Sequence, residues 1–201
     1  SERWLKRGWI NLLSPRLLKR LWFYHTLFKH KPYYKLCQSA FGAGDEYKLR
    51  CYRDKCYKWG YFTTINESFE VESANLKKSS RNIIYLMWCA RFLRWKHPEL
   101  PVMLATKLKK EGYKFQLDIY GGEGNAAKYD VVYSKKELES LIMKLNVDDC
   151  VCLKGNAPNE EILSAMRSHD IFLFTSDNHE GWGAVANEAM SNGCVLVGSD
   201  A

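Results

Sequence analysis

The feature that most constrains the fold is the regular alternation of apolar runs and amphipathic segments from residue 81 onward. Five apolar runs have the length and composition of buried strands, NIIYLMWCA, KFQLDIYGG, CVCLKG, DIFLFTS and CVLVGS. Between them lie four segments with helical spacing, HPELPVMLATKLKKEG, SKKELESLIMKLN, NEEILSAMRSH and GAVANEAMSNG. Parallel strands joined by single helices connect through right-handed crossovers. The pattern therefore predicts an α/β fold, a Rossmann-like parallel sheet with helices on both faces.

The residues before this pattern predict a smaller, partial α/β domain over 1–62. Its segments are a basic amphipathic helix with Pro15 near its start, a strand in YYKLCQSA, a helix in GAGDEYKLRCY and a strand in YKWGYFTT. The polar stretch 63–80 predicts an interdomain linker, which leaves 81–201 as the second domain. The sequence does not begin with Met and ends in a turn directly after a strand. We therefore expect a piece of a longer protein.

The basic residues concentrate near the start of the chain, and the formal net charge is +7. RWLKR, PRLLKRLW and FKHKPYYK carry many bases beside Trp4, Trp9 and Trp22. A basic amphipathic helix with tryptophans is typical of a segment that lies on an anionic membrane surface. The alternative is an ordinary helix with a solvated basic face. Nucleic-acid binding is not expected, because no recognition motif accompanies the charge.

The cysteines and the apolar runs indicate where in the cell the protein is expected to reside. Seven cysteines without regular spacing favour reduced thiols over a disulfide framework or a metal site. The longest apolar run, IIYLMWCA, is too short to span a bilayer. We expect a cytoplasmic protein, peripheral at the inner membrane face if it contacts a membrane.

Candidate site residues follow the strands of the second domain, because ligands bind beyond the carboxyl ends of parallel strands. Strand by strand they are Arg91 and Lys96; Gly121 and Gly122; Lys154, Gly155 and Asn156; then Asp177, His179, Glu180 and the turn Gly181, Trp182, Gly183. This edge of the sheet combines cations, glycine turns and carboxylates.

A pyrophosphate is the ligand that this combination fits best. The EGWG turn, residues 180–183, leads into a helix whose free N–H groups and dipole favour phosphate, and Arg91 and Lys96 meet the same phosphates. Glu188, one turn into the helix, is expected to accept hydrogen bonds from a ribose diol, and Glu180 from sugar hydroxyls. Hydroxyl donors would satisfy both carboxylates without a buried cation. Taken singly, Glu188 paired with a local lysine and Glu180 as a solvated loop acid remain open alternatives.

The segment DIFLFTSDNHEGWGAVANEAMSNGCVLVGSDA resembles the signature of retaining glycosyltransferases of family 4, two glutamates separated by seven residues. CARFLRWKHPELPVMLATKLKKEGYKFQLDIYGGEG is similar to the opening segment of the same family, and VCLKGNAPNEEILSAMRSHD to the stretch between them. The resemblance covers 81–201; a weaker one, at YKWGYF, relates 1–62 to the acceptor-side domain of polysaccharide-assembling members.

The resemblance implies a GT-B fold and metal-independent transfer of a hexose, without a cofactor, from a nucleotide-diphosphate sugar to a glycan or lipid-linked acceptor. The implied catalytic residues are Arg91, Lys96 and Glu180. The implied donor-binding residues are Glu188, Gly181, Trp182, Gly183, Ala184, Gly121, Gly122, Lys154 and Asn156. Because the first half of the acceptor-side domain and the final strands are missing, activity is expected of the parent chain rather than of this piece alone. A sugar-nucleotide epimerase of the same fold and a non-catalytic scaffold docked on a membrane are the alternatives.

Overall fold

The computed structural model describes residues 8–38, 41–63, 70, 78–124 and 131–200. The chain divides into two compact units, Ser1–Phe62 and Thr63–Ala201. Most of the predicted linker, 63–80, lies outside the described residues. At its end Lys78 is buried, and its ammonium donates to the carbonyl of Gly193, 2.8 Å away, within the second unit.

The first unit combines short helices with a two-stranded parallel sheet. A 3₁₀ turn over Gly8–Leu13 precedes α1 (Pro15–Leu21), and a π-helical turn over Trp22–Thr26 follows it. The predicted single amphipathic helix is therefore divided into three pieces. β1 (Lys35–Cys37), α2 (Gly42–Lys48) and β2 (Cys56–Lys58) come next, and β1 pairs with β2.

The second unit is built on a five-stranded, all-parallel sheet. Its strands are β3 (Ile84–Cys89), β4 (Phe115–Tyr120), β5 (Val151–Gly155), β6 (Ile171–Phe174) and β7 (Val195–Gly198). Its helices are α3 (Glu99–Lys110), α4 (Lys135–Lys144), α5 (Asn159–Ser168) and α6 (Ala184–Ser191). The predicted alternation of strands and helices is confirmed.

Two apolar cores lie on opposite faces of this sheet, because successive strand residues point to opposite sides. Leu86 and Trp88 of β3 pack with residues of α3 and α4 on one face. Met87 of β3 and Phe172 of β6 pack with residues of α5 and α6 on the other. The sheet with helices on both faces is thus an α/β, Rossmann-like fold, as predicted.

The strand order β5-β4-β3-β6-β7 determines where a ligand can bind. The chain moves outward from β3 to β5 and then returns to place β6 against the other side of β3, with Leu86 opposite Ile171. Between β3 and β6 the connections diverge, and a crevice opens beyond the carboxyl ends of the strands. The loops that follow these two strands border the candidate site.

None of the helices in the described part of the chain combines the length and the apolar character that a bilayer crossing requires.

Candidate functional site

Hydrogen bonds join the loops after β3 and β6 at the crevice. The backbone N–H of Asp177 donates to the carbonyl of Trp95, 2.9 Å away. The Thr175 hydroxyl donates to the carbonyl of Lys96 at 2.6 Å and accepts from the indole N–H of Trp88 at 2.8 Å. A 3₁₀ turn over Arg94–Lys96 is therefore fixed against the end of β6. These supporting contacts were not predicted, since they depend on the adjacency of β3 and β6.

Lys96 and Glu180 form an ion pair across these two loops, between Nζ and Oε2. Both side chains are largely shielded, with exposed fractions of 14% and 22%. Lys96 also lies over the Phe174 ring, 5.8 Å from its centroid, and the Gly181 N–H donates to the other Glu180 oxygen at 3.0 Å. Burial alone would raise the pKa of Glu180, but the hydrogen bond and charge of Lys96 outweigh it, so the pKa is lowered.

The expectation that hydroxyl groups alone satisfy Glu180 is corrected by this ion pair. In the ligand-free protein its partner is a cation, and Glu180 is not a solvated loop acid either. The two residues are 84 positions apart, in loops that become neighbours only through the strand order. Glu180, predicted to contact the sugar, and Lys96, predicted to contact the diphosphate, are therefore paired with each other.

Glu188 differs from Glu180 because its carboxylate has no hydrogen-bond or ion-pair partner among the described residues. Burial raises its pKa, and no neighbouring group offsets that effect. The alternative of a local lysine partner is therefore not supported. The Cys89 thiol, at the end of β3, lies close enough to Glu188 and Lys96 to respond to both charges; burial and then the Glu188 charge raise its pKa to about 11. No sequence motif marks Cys89.

Gly183 places the start of α6 tightly against β6. Its φ of 75° is in the left-handed region, and a Cβ there would lie 2.5 Å from Cζ of Phe174. Only glycine combines this conformation with so close an approach. Ala184 begins the helix, while Gly181 and Trp182 are exposed ahead of it, with 38% of Trp182 accessible. The turn thus presents the helix N-terminus at the crevice.

Gly121 and Gly122 have packing functions in the loop after β4. A Cβ on Gly121, whose φ is 121°, would lie 1.9 Å from the carbonyl oxygen of Ala90. A Cβ on Gly122 would lie 3.1 Å from the amide nitrogen of Asn156, which places Asn156 across this loop. Arg91 is exposed, and a Cβ on Gly124 would lie 3.4 Å from its Cδ. The donor-binding roles of Gly121, Gly122, Asn156 and Arg91 stay predictions.

Lys154 is engaged by a carboxylate of the sheet. Its ammonium lies 3.3 Å from Oδ2 of Asp118, and His169 Nε2 approaches the same oxygen at 3.3 Å. Burial acts to raise the pKa of Asp118, but the neighbouring His169 and the charge of Lys154 lower it overall. The sequence did not predict this partner, and the donor-binding role of Lys154 stays a prediction.

The comparisons with known proteins fit this geometry. The model of the glycosyl transferases group 1 family matches residues 68–201, more than half of the chain. The chain belongs to the glycosyl transferases group 1 family. No curated protein matches the sequence at a significant level.

Solved glycosyltransferase structures share the fold of this group 1 chain. HepE of Anabaena, solved with UDP and glucose, is 17% identical, with a TM-score of 0.62 over 94% of this chain and 49% of its own. A mutant of TarM of S. aureus, solved with Fondaparinux, alpha-GlcNAc-glycerol and UDP, is 16% identical, with a TM-score of 0.60 over 86% and 31%. WaaG, a glycosyltransferase involved in lipopolysaccharide biosynthesis, is 15% identical, with a TM-score of 0.58 over 96% and 51%. The chain spans about half of their length or less, and these likenesses show the GT-B fold.

Proposed function

We propose that the protein is a retaining glycosyltransferase of family 4 that moves a hexose from a nucleotide-diphosphate sugar to a glycan or lipid-linked acceptor. The observation that carries the proposal is the Lys96–Glu180 pair between the loops after β3 and β6, at the switch point of the sheet. The helix that follows, α6, carries Glu188, whose carboxylate has no partner among the described residues. The family match and the UDP bound in HepE support a nucleotide sugar as the donor.

Each part of the donor has a proposed partner in the site. The diphosphate lies at the N-terminus of α6, where free N–H groups and the helix dipole favour negative charge, and it also contacts Arg91 and Lys96. The ribose diol donates to Glu188, whose carboxylate is partly desolvated and has no partner in the part of the chain that the structure describes. The hydroxyls of the transferred sugar donate to Glu180. The open side of the crevice, towards Gly122 and Asn156, receives the base.

Transfer proceeds by a front-face displacement that retains the anomeric configuration. The bond between the anomeric carbon and the β-phosphate oxygen breaks, and the acceptor hydroxyl oxygen forms its bond on the same face. The acceptor proton passes to the departing phosphate oxygen. Lys96, Arg91 and the α6 N-terminus stabilise the charge that grows on the diphosphate, which is the principal source of catalysis in such a site.

The proposed transfer uses neither a resident metal nor a cofactor, because side-chain cations and backbone N–H groups take the diphosphate charge. In the described part of the chain, no group of three His, Cys, Asp or Glu side chains is arranged to hold a metal ion. Retention of activity in a chelator, measured with donor and acceptor at saturation, tests this part of the proposal.

The acceptor is proposed to be a growing cell-surface polysaccharide at the inner face of the membrane. The first unit exposes Trp9 and Trp22 together with bases of α1, Arg16, Lys19 and Arg20. α1 buries no residue of its own. Exposed tryptophans beside lysines and arginines suit the headgroup region of an anionic bilayer, which supports a peripheral cytoplasmic enzyme.

The test is a product assay on the full-length protein with UDP- and GDP-hexoses and a lipid-linked acceptor. We expect Arg91→Ala and Lys96→Ala each to slow transfer about a hundredfold or more, because losing one preorganised donor to the leaving group raises the barrier by about 3 kcal/mol. Near-normal turnover in both variants would refute the assigned roles. An altered donor sugar without transfer would indicate an epimerase, and nucleotide-sugar binding without any product a scaffold.

A further inference from the structure

The Lys96–Glu180 ion pair engages two residues that the proposed function assigns to different parts of the donor. Lys96 is assigned to the donor diphosphate and Glu180 to the donor sugar, yet in the ligand-free protein each is occupied by the other. Both side chains are largely buried, so water has limited access to the pair. On these assignments the donor diphosphate competes with Glu180 for the Lys96 ammonium.

We propose that the Lys96–Glu180 pair is a latch that the donor diphosphate opens. On this inference, which rests on the proposed function, the diphosphate replaces Glu180 as the partner of Lys96. The released carboxylate then accepts hydrogen bonds from the sugar. Glu180 becomes available only after a diphosphate is bound, so a free sugar meets a site whose sugar-binding carboxylate is still closed.

Charge and geometry favour this exchange. A nucleoside diphosphate carries more negative charge than one carboxylate, and its phosphate oxygens are stronger attractors of an ammonium group. The Lys96 backbone is held by Thr175, so the switch requires only rotation of the flexible side chain. Glu180 is not stranded after Lys96 leaves, because the Gly181 N–H still donates to it at 3.0 Å. The exchange therefore leaves no charge without a partner.

The latch makes an unusual prediction for nucleotide binding. Opening it costs free energy that donor binding must supply, so Glu180→Gln should bind UDP about fivefold more tightly than the unaltered protein. Lys96→Met should bind UDP more weakly. In the Lys96→Met background, adding Glu180→Gln should change UDP affinity by less than about twofold, because no pair remains to be broken. Calorimetric titration of the full-length protein with UDP, and with GDP as the second probe, measures all four affinities.

Asp177→Asn is the matched control for charge. Asp177 lies in the same loop; its carboxylate contacts His179 at 2.9 Å and His97 at 3.6 Å, and it is not paired with Lys96. Its replacement removes one negative charge near the site and leaves the latch intact, so it should tighten UDP binding less than Glu180→Gln. An equal gain in Asp177→Asn, or an equal gain from Glu180→Gln in both Lys96 backgrounds, would overturn the latch in favour of general charge repulsion.

A second measurement reports the pair directly and does not depend on affinity. A water-soluble carbodiimide joins paired ammonium and carboxylate groups as an amide, with loss of one water. We expect peptide mass spectrometry to find a Lys96–Glu180 cross-link in the ligand-free protein, and saturating UDP to suppress it. A cross-link that persists with UDP bound would overturn the latch. If neither nucleotide binds the unaltered, folded protein, the proposed function fails together with the latch; nucleotide binding with no gain in Glu180→Gln rejects the latch alone.

Discussion

Gly183→Ala is the substitution that best tests how the start of α6 is built. Gly183 has φ of 75° and ψ of 48°, a left-handed conformation that costs an alanine about 1–2 kcal/mol. The new Cβ would also lie 2.5 Å from Cζ and 3.1 Å from Cε2 of Phe174, and such overpacking costs about 1–3 kcal/mol more. We therefore expect a loss of about 2–5 kcal/mol in the free energy of unfolding.

Gly112→Ala separates the two contributions. Gly112 follows the end of α3 with φ of 82°, nearly the same φ, but a Cβ there would meet nothing within 4 Å. Its replacement should cost only the left-handed strain, about 1–2 kcal/mol. Urea unfolding measures the loss in free energy of unfolding for each variant. The difference between the two losses is the contribution of the close contact with Phe174. UDP affinity supplies the functional measurement, because only Gly183→Ala shifts the helix start, and it should weaken binding by about tenfold or more.

Two results would refute this reasoning about Gly183. If Gly183→Ala is no more destabilising than Gly112→Ala, the close approach to Phe174 does not constrain the helix start. If Gly183→Ala is strongly destabilising but binds UDP normally under conditions where it is folded, the diphosphate does not lie at the N-terminus of α6. The first result concerns packing and the second concerns the ligand, so the two are distinguishable.

Two further predictions address Glu188 and the first unit. An acid whose pKa is raised on folding destabilises the fold once it is ionised, so Glu188→Gln should raise stability at neutral pH by about 0.5–2 kcal/mol. In thermal melts across pH, this gain in stability should vanish as the pH falls below the ordinary glutamate pKa of 4.5. A gain in stability that persists in acid would show that the ionised carboxylate is not its cause. Replacing Trp9 and Trp22 by Ser should reduce flotation of the full-length protein with anionic liposomes several-fold. The control Trp182→Ser, in the second unit, should not reduce flotation. Equal flotation of all variants would exclude Trp9 and Trp22 as the membrane anchor.

The sequence predicted the second unit well because its signals are local. β3 is a nearly continuous apolar run, as expected for a strand buried on both faces, and the structure places it at Ile84–Cys89. α4 follows a complete capping box, in which Ser134 and Glu137 satisfy each other's backbone N–H groups. Such patterns determine the identity of an element without any knowledge of its neighbours.

The pairing of side chains could not be predicted, because it depends on the strand order. Lys96 meets Glu180 since β6 returns to the side of β3, and Lys154 meets Asp118 since β4 and β5 are neighbours. In the first unit the helical spacing was correct, but the local hydrogen bonding changes from 3₁₀ to α to π along the segment. Hydrophobic periodicity tolerates all three forms and does not distinguish them.

Three acidic residues of the second unit differ in their partners, and this difference bears on whether each has a structural or a functional role. Asp118 lies 3.3 Å from both Lys154 and His169, and its lowered pKa shows that the fold stabilises its ionised form. Glu180 pairs with Lys96, which the proposed function assigns to the donor diphosphate, so on that proposal the pairing is conditional. Glu188 has no partner among the described residues and a raised pKa, so at neutral pH it lowers the stability of the ligand-free protein. On the proposed function, hydroxyl donors of the bound molecule relieve this cost. Since a diol offers two adjacent hydroxyl donors to one carboxylate, the ribose of a nucleotide sugar matches the deficiency that the fold leaves at Glu188.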